Sequence, residues 1–248
     1  MIVFVTGATA GFGAAITRRF VSEGHRVIAA GRRADRLDEL AKELGSAVLP
    51  LTLDVTDRAA TEALVARLPA DFAAVDVLVN NAGLALGLEP AQRADLDDWE
   101  TMIDTNVKGL ARMTRSLLPG MVERGRGHIV NLGSVAGQFP YPGGNVYGAT
   151  KAFVDQFSLN LRADLLGTPV RVTNVEPGLC GGTEFSSIRF KGDDEKASKV
   201  YDGTQPLTSE DIAETVFWVT TLPPHVNINS VQMMPVCQAF GPLAIKRS

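Results

Sequence analysis

Short apolar runs alternate along the whole chain with segments of helical periodicity. Several of the runs, among them VDVLVN and IVFV, are apolar on both faces, which is typical of strands buried between two layers of helices. The repeated alternation predicts an α/β fold with one doubly wound, mostly parallel sheet of seven strands and helices on both faces. The predicted strands are Ile2–Thr6, Arg26–Ala30, Ala47–Leu53, Val75–Asn80, His128–Leu132, Val170–Val175 and Asn229–Met234.

No repeat or linker divides residues 1–248, so we expect a single domain. Residues 97–123 carry apolar positions mostly three or four apart, which predicts a long amphipathic helix. Residues 178–206 break the alternation with a polar, mixed composition. Loops of this length are usually functional or disordered, and we expect a substrate-covering loop with short helical pieces.

The composition excludes several classes of protein. Hydrophobic residues make up 45% and charged residues 21%, as in ordinary soluble domains, and the net charge of −4 predicts neither nucleic-acid nor membrane binding. The two cysteines form no disulfide framework, and the three scattered histidines predict no metal site. The start MIVFVTGATAGFG lacks a basic region, so we expect no signal peptide and a cytoplasmic location.

The segment TGATAGFG, residues 6–13, follows the first predicted strand and opens the first predicted helix. Its glycines permit a tight turn, and the helix N-terminus offers free N–H groups to a phosphate. This placement predicts a Rossmann-type dinucleotide site, with a ligand-free strand–helix turn as the alternative. The expected cofactor-binding residues are Gly7, Ala8, Thr9, Ala10, Gly11, Phe12 and Gly13.

Two arginines end the second predicted strand, in the sequence VIAAGRR. In dinucleotide-binding folds this position faces the adenosine ribose, where a carboxylate suits NAD and an arginine accommodates the 2′-phosphate of NADP. No carboxylate is present there, and arginine forms charge-assisted hydrogen bonds with phosphate. Arg32 and Arg33 therefore predict NADP as the cofactor, with a solvated basic turn as the alternative.

Three residues predict a proton-transfer site. Ser134 follows the fifth strand at the sheet edge where ligands of such folds bind, and Tyr147 and Lys151 lie four apart on one face of the next helix. Hydride transfer between a nicotinamide and a carbonyl needs a protein group that donates or accepts a proton. We expect Tyr147 to be that group, Lys151 to lower its pKa and Ser134 to hold the substrate oxygen. Taken singly, each residue also fits an ordinary structural role.

The chain resembles the short-chain dehydrogenase/reductase family. The resemblance rests on TGATAGFG, LDV at 53–55, NNAG at 80–83, NLGS at 131–134, YGATK at 147–151 and EPG at 176–178, in family order. It implies that Asn106 completes a proton relay with Ser134, Tyr147 and Lys151 through a water. It also implies further cofactor contacts by Asp54, Val55, Asn81, Ala82, Gly83, Tyr147, Lys151, Pro177, Gly178 and Thr183.

Within that family the chain is most similar to a subgroup acting on small 3-hydroxy acids. Stretches such as NNAGLALGLEPA and HVNINSVQMMPVCQ carry this similarity. It implies NADP-dependent oxidation of L-serine, L-allo-threonine or 3-hydroxypropionate, reduction of malonic semialdehyde in reverse, and a homotetramer. The helix that carries Tyr147 is apolar on more than one face, which agrees with burial against a second subunit.

A 3-hydroxy acid carries a carboxylate, which needs a cation or N–H donors in the substrate site. We expect Arg189 to bind the substrate carboxylate, with a solvated loop charge as the alternative. Glu176 either meets a substrate amino group or forms hydrogen bonds at the sheet edge. Two other functions stay open: reduction of a different ketone or sugar alcohol, and NADPH sensing without catalysis.

Overall fold

The computed structural model of the protein describes residues 1–241. Its seven strands form one sheet in the order β3-β2-β1-β4-β5-β6-β7, and all neighbouring strands pair in parallel. The predicted doubly wound seven-stranded sheet is thus confirmed. The strands are β1 (Ile2–Thr6), β2 (Arg26–Gly31), β3 (Val48–Thr52), β4 (Val77–Asn80), β5 (Gly127–Leu132), β6 (Val170–Pro177) and β7 (Ser230–Met233).

Helices cover both faces of the sheet. Phe20 and Ile212 belong to the core cluster on one face, and Met113 and Leu161 belong to the cluster on the other. The helices are α1 (Gly11–Ser22), α2 (Ala34–Leu44), α3 (Arg58–Glu62), α4 (Leu64–Arg67), α5 (Leu96–Ile103), α6 (Leu110–Glu123), α7 (Asn145–Asp164), α8 (Phe185–Arg189), α9 (Asp194–Lys199) and α10 (Ser209–Thr221). Among the described residues, no helix has the length and apolar character needed to cross a membrane.

The predicted long helix is interrupted. Between α5 and α6, residues Asp104–Gly109 form a π-helix, in which the ladder of hydrogen bonds widens by one residue. A side chain on Gly109 would collide with Val55, so the helix approaches the end of the sheet closely at this point. The bulge carries Asn106, one of the predicted catalytic residues, into a buried position.

The polar segment 178–206 contains the short helices α8 and α9. It is tied to the rest of the molecule at Gly87, whose N–H donates to the Arg189 carbonyl at 3.0 Å. Lys191, the only described non-glycine residue with a positive φ (53°), forms ion pairs with Asp95 and Asp98. These contacts hold the segment across the carboxyl ends of the strands.

Candidate active site

The glycine loop between β1 and α1 is built for close backbone approach. Gly7 and Gly11 have φ values of 66° and 49°, a region that favours glycine. A Cβ on Gly13 would collide with the carbonyl oxygen of Gly7. The loop therefore needs glycine at these positions, and it leaves the N-terminus of α1 open to a ligand phosphate.

Asn81 holds the glycine loop against the end of β4. Its side-chain amide donates to the carbonyl oxygens of Thr6 at 2.8 Å and Gly7 at 3.2 Å. The Thr6 hydroxyl in turn accepts from the backbone N–H groups of Asn81 and Ala82 at 3.0 and 2.9 Å. Asn81 thus acts on the loop itself by fixing its backbone.

A cavity of about 880 Å³ runs from the glycine loop across the carboxyl ends of the strands. Ala8, Gly13 and Asn106 are buried behind its wall rather than lining it. Every other sequence-predicted site residue lines it: Gly7, Thr9, Ala10, Gly11, Phe12, Arg32, Arg33, Asp54, Val55, Asn81, Ala82, Gly83, Ser134, Tyr147, Lys151, Pro177, Gly178, Thr183 and Arg189.

Both predicted phosphate-binding arginines lie at one end of this cavity, but their surroundings differ. Arg32 is exposed. The Arg33 guanidinium donates to both carboxylate oxygens of Glu184, at 3.1 and 2.9 Å, and to the Thr9 hydroxyl, at 3.2 and 2.8 Å. Arg33 therefore connects the glycine loop to segment 178–206. Nearby, the Asp54 carboxylate accepts from the backbone and hydroxyl of Thr56 at 2.9 and 2.8 Å.

Tyr147 and Ser134 face each other across the other end of the cavity. Tyr147 is 8% exposed, and burial raises its pKa to about 12, while Ser134 and Arg189 act to lower it. The Ser134 hydroxyl accepts from the N–H of Ala136 at 3.1 Å and donates to the Pro177 carbonyl at 3.4 Å. Desolvation of the phenol is the largest effect on this pKa in the structure and raises it. The lowering of the tyrosine pKa by Lys151 stays a prediction.

Lys151 lies one helical turn beyond Tyr147 on α7 and points along the same cavity wall. Its ammonium donates to the carbonyl oxygen of Leu132 at 2.7 Å and lies 5.8 Å from the centroid of the Tyr147 ring. Burial lowers the pKa of Lys151 to about 8. The lysine is therefore mostly charged at neutral pH, and one carbonyl at the end of β5 fixes its position.

Asn106 is anchored by its side chain. The Oδ1 atom accepts from the N–H of Leu84 at 2.9 Å, and Nδ2 donates to the Leu84 carbonyl at 2.8 Å and to the Thr150 hydroxyl at 3.1 Å. Thr150 adjoins Lys151 on α7. Asn106 thus joins the π-helix, the segment after β4 and the catalytic helix.

Arg189 lies above the tyrosine pair of the cavity. Its guanidinium carbon lies 5.5 Å from the ring centroid of Tyr147 and 5.4 Å from that of Tyr141, and its Nη2 donates to the Tyr141 hydroxyl at 2.5 Å. Phe185 packs edge-on against Tyr147, with 5.8 Å between centroids. Sequence reasoning missed Tyr141 and Phe185, although Tyr141 lies six residues before Tyr147 and Phe185 lies two residues after Thr183.

Three further residues near the cavity, Glu176, Cys180 and Asn145, have contacts or burial typical of structural roles. Glu176 is buried and accepts from Gln138, Ser230 and Asn174 at 2.7, 2.6 and 2.9 Å, which is the sheet-edge role rather than substrate contact. Burial raises the pKa of the Cys180 thiol to about 12, unlike a reactive thiolate. Asn145 donates to the Glu89 carbonyl at 3.1 Å and so ties the start of α7 to a neighbouring loop.

One cavity is lined by the glycine loop, by Ser134 and by the pair Tyr147 and Lys151. Comparison with known proteins agrees with this arrangement. A family model described as short chain dehydrogenase matches residues 1–193. The chain belongs to the short-chain dehydrogenase family. The resemblance inferred from the sequence motifs is therefore confirmed over more than half of the chain.

Several known proteins match this chain over all or nearly all of its length. The NADP-dependent 3-hydroxy acid dehydrogenase YdfG of Salmonella typhimurium is 69% identical over 248 residues, which is 100% of both chains. The serine 3-dehydrogenase of Agrobacterium fabrum is 53% identical and covers 99% of this chain and 98% of its own. The closed form of serine dehydrogenase complexed with NADP+ is 65% identical, with a TM-score of 0.99 and complete coverage of both chains.

Proposed function

We propose that this protein is an NADP-dependent oxidoreductase of small 3-hydroxy acids. Its substrates in this proposal are L-serine, L-allo-threonine and the pair 3-hydroxypropionate and malonic semialdehyde. The observation that carries the proposal is one cavity lined at one end by the glycine loop and Arg32 and at the other by Ser134, Tyr147 and Arg189. The names of the full-length relatives support the substrate class and the cofactor.

The cavity residues fit NADP. Gly7 to Gly13 would hold the pyrophosphate at the N-terminus of α1, and Arg32 and Arg33 would meet the adenosine 2′-phosphate. Bound NADP supplies the hydride chemistry that no side chain can perform. The proposed contacts of the adenine are Asp54 and Val55, and those around the nicotinamide are Asn81, Ala82, Gly83, Pro177, Gly178 and Thr183.

Tyr147 is the proposed proton-transfer residue. When a carbonyl substrate is reduced, the Tyr147 hydroxyl donates its proton to the substrate oxygen, and the Ser134 hydroxyl holds that oxygen by a hydrogen bond. When an alcohol is oxidised, the tyrosine oxygen accepts the proton instead. Lys151 provides a positive charge 5.8 Å from the centroid of the phenol ring. In the proposal the lysine and Asn106 pass a proton from solvent to the tyrosine after reduction and from the tyrosine to solvent after oxidation.

Arg189 is the proposed carboxylate ligand. Arg189 lines the cavity, and of its donors Nη2 contacts the Tyr141 hydroxyl and Nε lies 3.4 Å from the Gly87 carbonyl, which leaves further N–H groups for a ligand. Its position 5.5 Å from the Tyr147 ring centroid supports this role, because the carboxylate of a 3-hydroxy acid lies only a few atoms from the hydroxyl that exchanges the proton. Charge-assisted pairing of guanidinium and carboxylate supplies orientation.

A substrate panel tests this proposal. The purified protein is assayed with NADP and L-serine, L-allo-threonine and 3-hydroxypropionate, against a sugar alcohol and an uncharged secondary alcohol of the same length. We expect kcat/KM for the hydroxy acids to exceed that for the uncharged alcohol. A preference for the uncharged compounds would favour a reductase of another ketone or sugar alcohol. Tight NADPH binding without turnover of any compound would favour a sensing protein.

The assembly in this proposal is a homotetramer in the cytoplasm. Helix α7 leaves Phe153 and Leu159 exposed, at 36% and 46%, on the side away from the sheet. Phe153 stacks on Phe157 with 5.6 Å between centroids, which extends this apolar surface. A second copy seated on α7 would cover it. Light scattering tests the assembly: four chain masses are expected, and a monomer would contradict it.

A further inference from the structure

Segment 178–206 touches the adenosine end of the cavity through one charged pair. The Glu184 carboxylate receives two hydrogen bonds from Arg33, at 3.1 and 2.9 Å. The same guanidinium donates to Thr9 in the glycine loop. Arg33 and Glu184 stand 151 positions apart in the chain, and their side chains are 42% and 43% exposed.

Helix α8 carries this contact to the substrate end. Glu184 is the N-cap residue that immediately precedes α8, and the helix ends at Arg189, five residues after Glu184. Phe185, its first residue, packs against Tyr147, and Arg189 lies over the same ring. Because α8 is a single short helix, a displacement of Glu184 displaces both groups that face the reacting tyrosine.

We propose that Arg33 and Glu184 are positioning residues: their ion pair clasps segment 178–206 to the glycine loop and thereby sets Arg189 and Phe185 over Tyr147. The inference rests on the proposed function only for its activity readout. Arg33 thus serves both ends of the cavity, the 2′-phosphate directly and the substrate through α8.

In an alternative arrangement, the 2′-phosphate competes with Glu184 for the Arg33 guanidinium and breaks the ion pair when NADP binds. Removing the carboxylate would then strengthen NADP binding. Under the clasp, removing it leaves the ratio of NADP to NAD affinity unchanged and weakens the binding of the hydroxy acid. The two geometries therefore give different results for one variant, Glu184→Ala.

The kinetic test is a double-mutant cycle with Arg33→Ala, Glu184→Ala and the double variant at saturating NADP. Each single variant should raise KM for the hydroxy acid by roughly fivefold, the upper range for a half-exposed pair, with a smaller change in kcat. The double variant should be no worse than either single variant. Glu195→Ala, which removes an exposed carboxylate of α9, is the matched control and should leave KM unchanged. Unchanged KM in Glu184→Ala, multiplied effects in the double variant, or tighter NADP binding would overturn the proposal.

A second readout does not require activity. Segment 178–206 contains trypsin sites at Arg189, Lys191, Lys196 and Lys199, and the rate of cleavage there is followed by mass spectrometry. Glu184→Ala should speed this cleavage severalfold in the presence and in the absence of NADP, whereas Arg32→Ala should not change it without NADP. Equal rates in Glu184→Ala and the wild type would overturn the clasp. If the wild type oxidised no hydroxy acid, the proposed function would fail while this measurement still decided the role of the pair.

Discussion

The ammonium nitrogen of Lys151 lies 5.8 Å from the centroid of the Tyr147 ring. Burial shifts the pKa values of the two side chains in opposite directions: that of Tyr147 is raised to about 12 and that of Lys151 is lowered to about 8. Because burial disfavours each charged form, the pair favours a neutral phenol near pH 7. That state suits proton donation, and hence carbonyl reduction, without further titration.

The first prediction concerns pH. Oxidation needs the tyrosine oxygen without its proton, so kcat/KM for the hydroxy acid should rise from pH 7 to 9 by up to about tenfold per unit, while reduction shows no such rise. Lys151→Met removes the nearby cation and should displace the rise to higher pH. Lys108→Met, which removes an exposed lysine paired with Asp104, is the control. An unchanged profile in Lys151→Met would contradict the electrostatic role.

The second prediction concerns cofactor choice. Arg32→Ala should lower kcat/KM for NADP by roughly tenfold, at the lower end expected for a charged hydrogen bond, and leave NAD almost unaffected. Arg36→Ala, which removes an exposed arginine in the first turn of α2, is the matched control. The ratio of kcat/KM for the two cofactors is the measurement. Equal losses for NADP and NAD would show that Arg32 does not read the 2′-phosphate.

The third prediction concerns Arg189. Arg189→Lys keeps a charge but loses the paired donors, and Arg189→Ala loses both. KM for L-serine should rise at least tenfold in Arg189→Ala and less in Arg189→Lys, because charge-assisted hydrogen bonds contribute about 1.5–3 kcal/mol. KM for an uncharged alcohol should stay nearly constant in both variants. A similar rise for the uncharged alcohol would assign Arg189 to the packing of α8 rather than to the carboxylate.

The fourth prediction concerns stability. Burial, aided by the charge of Arg171, lowers the pKa of His128 to about 3. Between pH 6.5 and 3 this histidine is therefore protonated in the unfolded chain but neutral in the native chain. Stability should therefore fall as the pH drops from 6.5 towards 3, by up to about 1.4 kcal/mol per unit from this group. Urea unfolding of His128→Gln should show a shallower pH dependence. His225→Gln, at an exposed position, should keep the wild-type slope, and identical slopes in all three proteins would contradict the assignment.

The fold followed from the sequence because periodicity reports burial directly. All seven predicted strands form, with ends shifted by at most two residues, as at Val75, which precedes the start of β4 at Val77. The π-helix at Asp104–Gly109 escaped detection because one extra residue per turn hardly changes an apolar spacing of three or four. The bulge depends on tertiary contacts, namely the anchoring of Asn106 to Leu84.

The site divides in the same way. Residues within continuous motifs, such as Tyr147 and Lys151, were predicted by their spacing on one helix, and the structure places them on one cavity wall. The contact between Arg33 and Glu184 joins residues 151 positions apart, so no local sequence pattern predicts it. The pKa of Tyr147 also depends on how completely the phenol is buried, which the sequence does not state.

The central claim is that Tyr147 transfers the proton, and Tyr147→Phe tests it most directly. The variant removes one buried oxygen and keeps the ring that packs against Phe185. We expect kcat for oxidation of the hydroxy acid to fall by about 10²–10⁴-fold, with NADP still binding as judged by fluorescence titration. Turnover within a few-fold of the wild type, with the cofactor bound, would contradict the account.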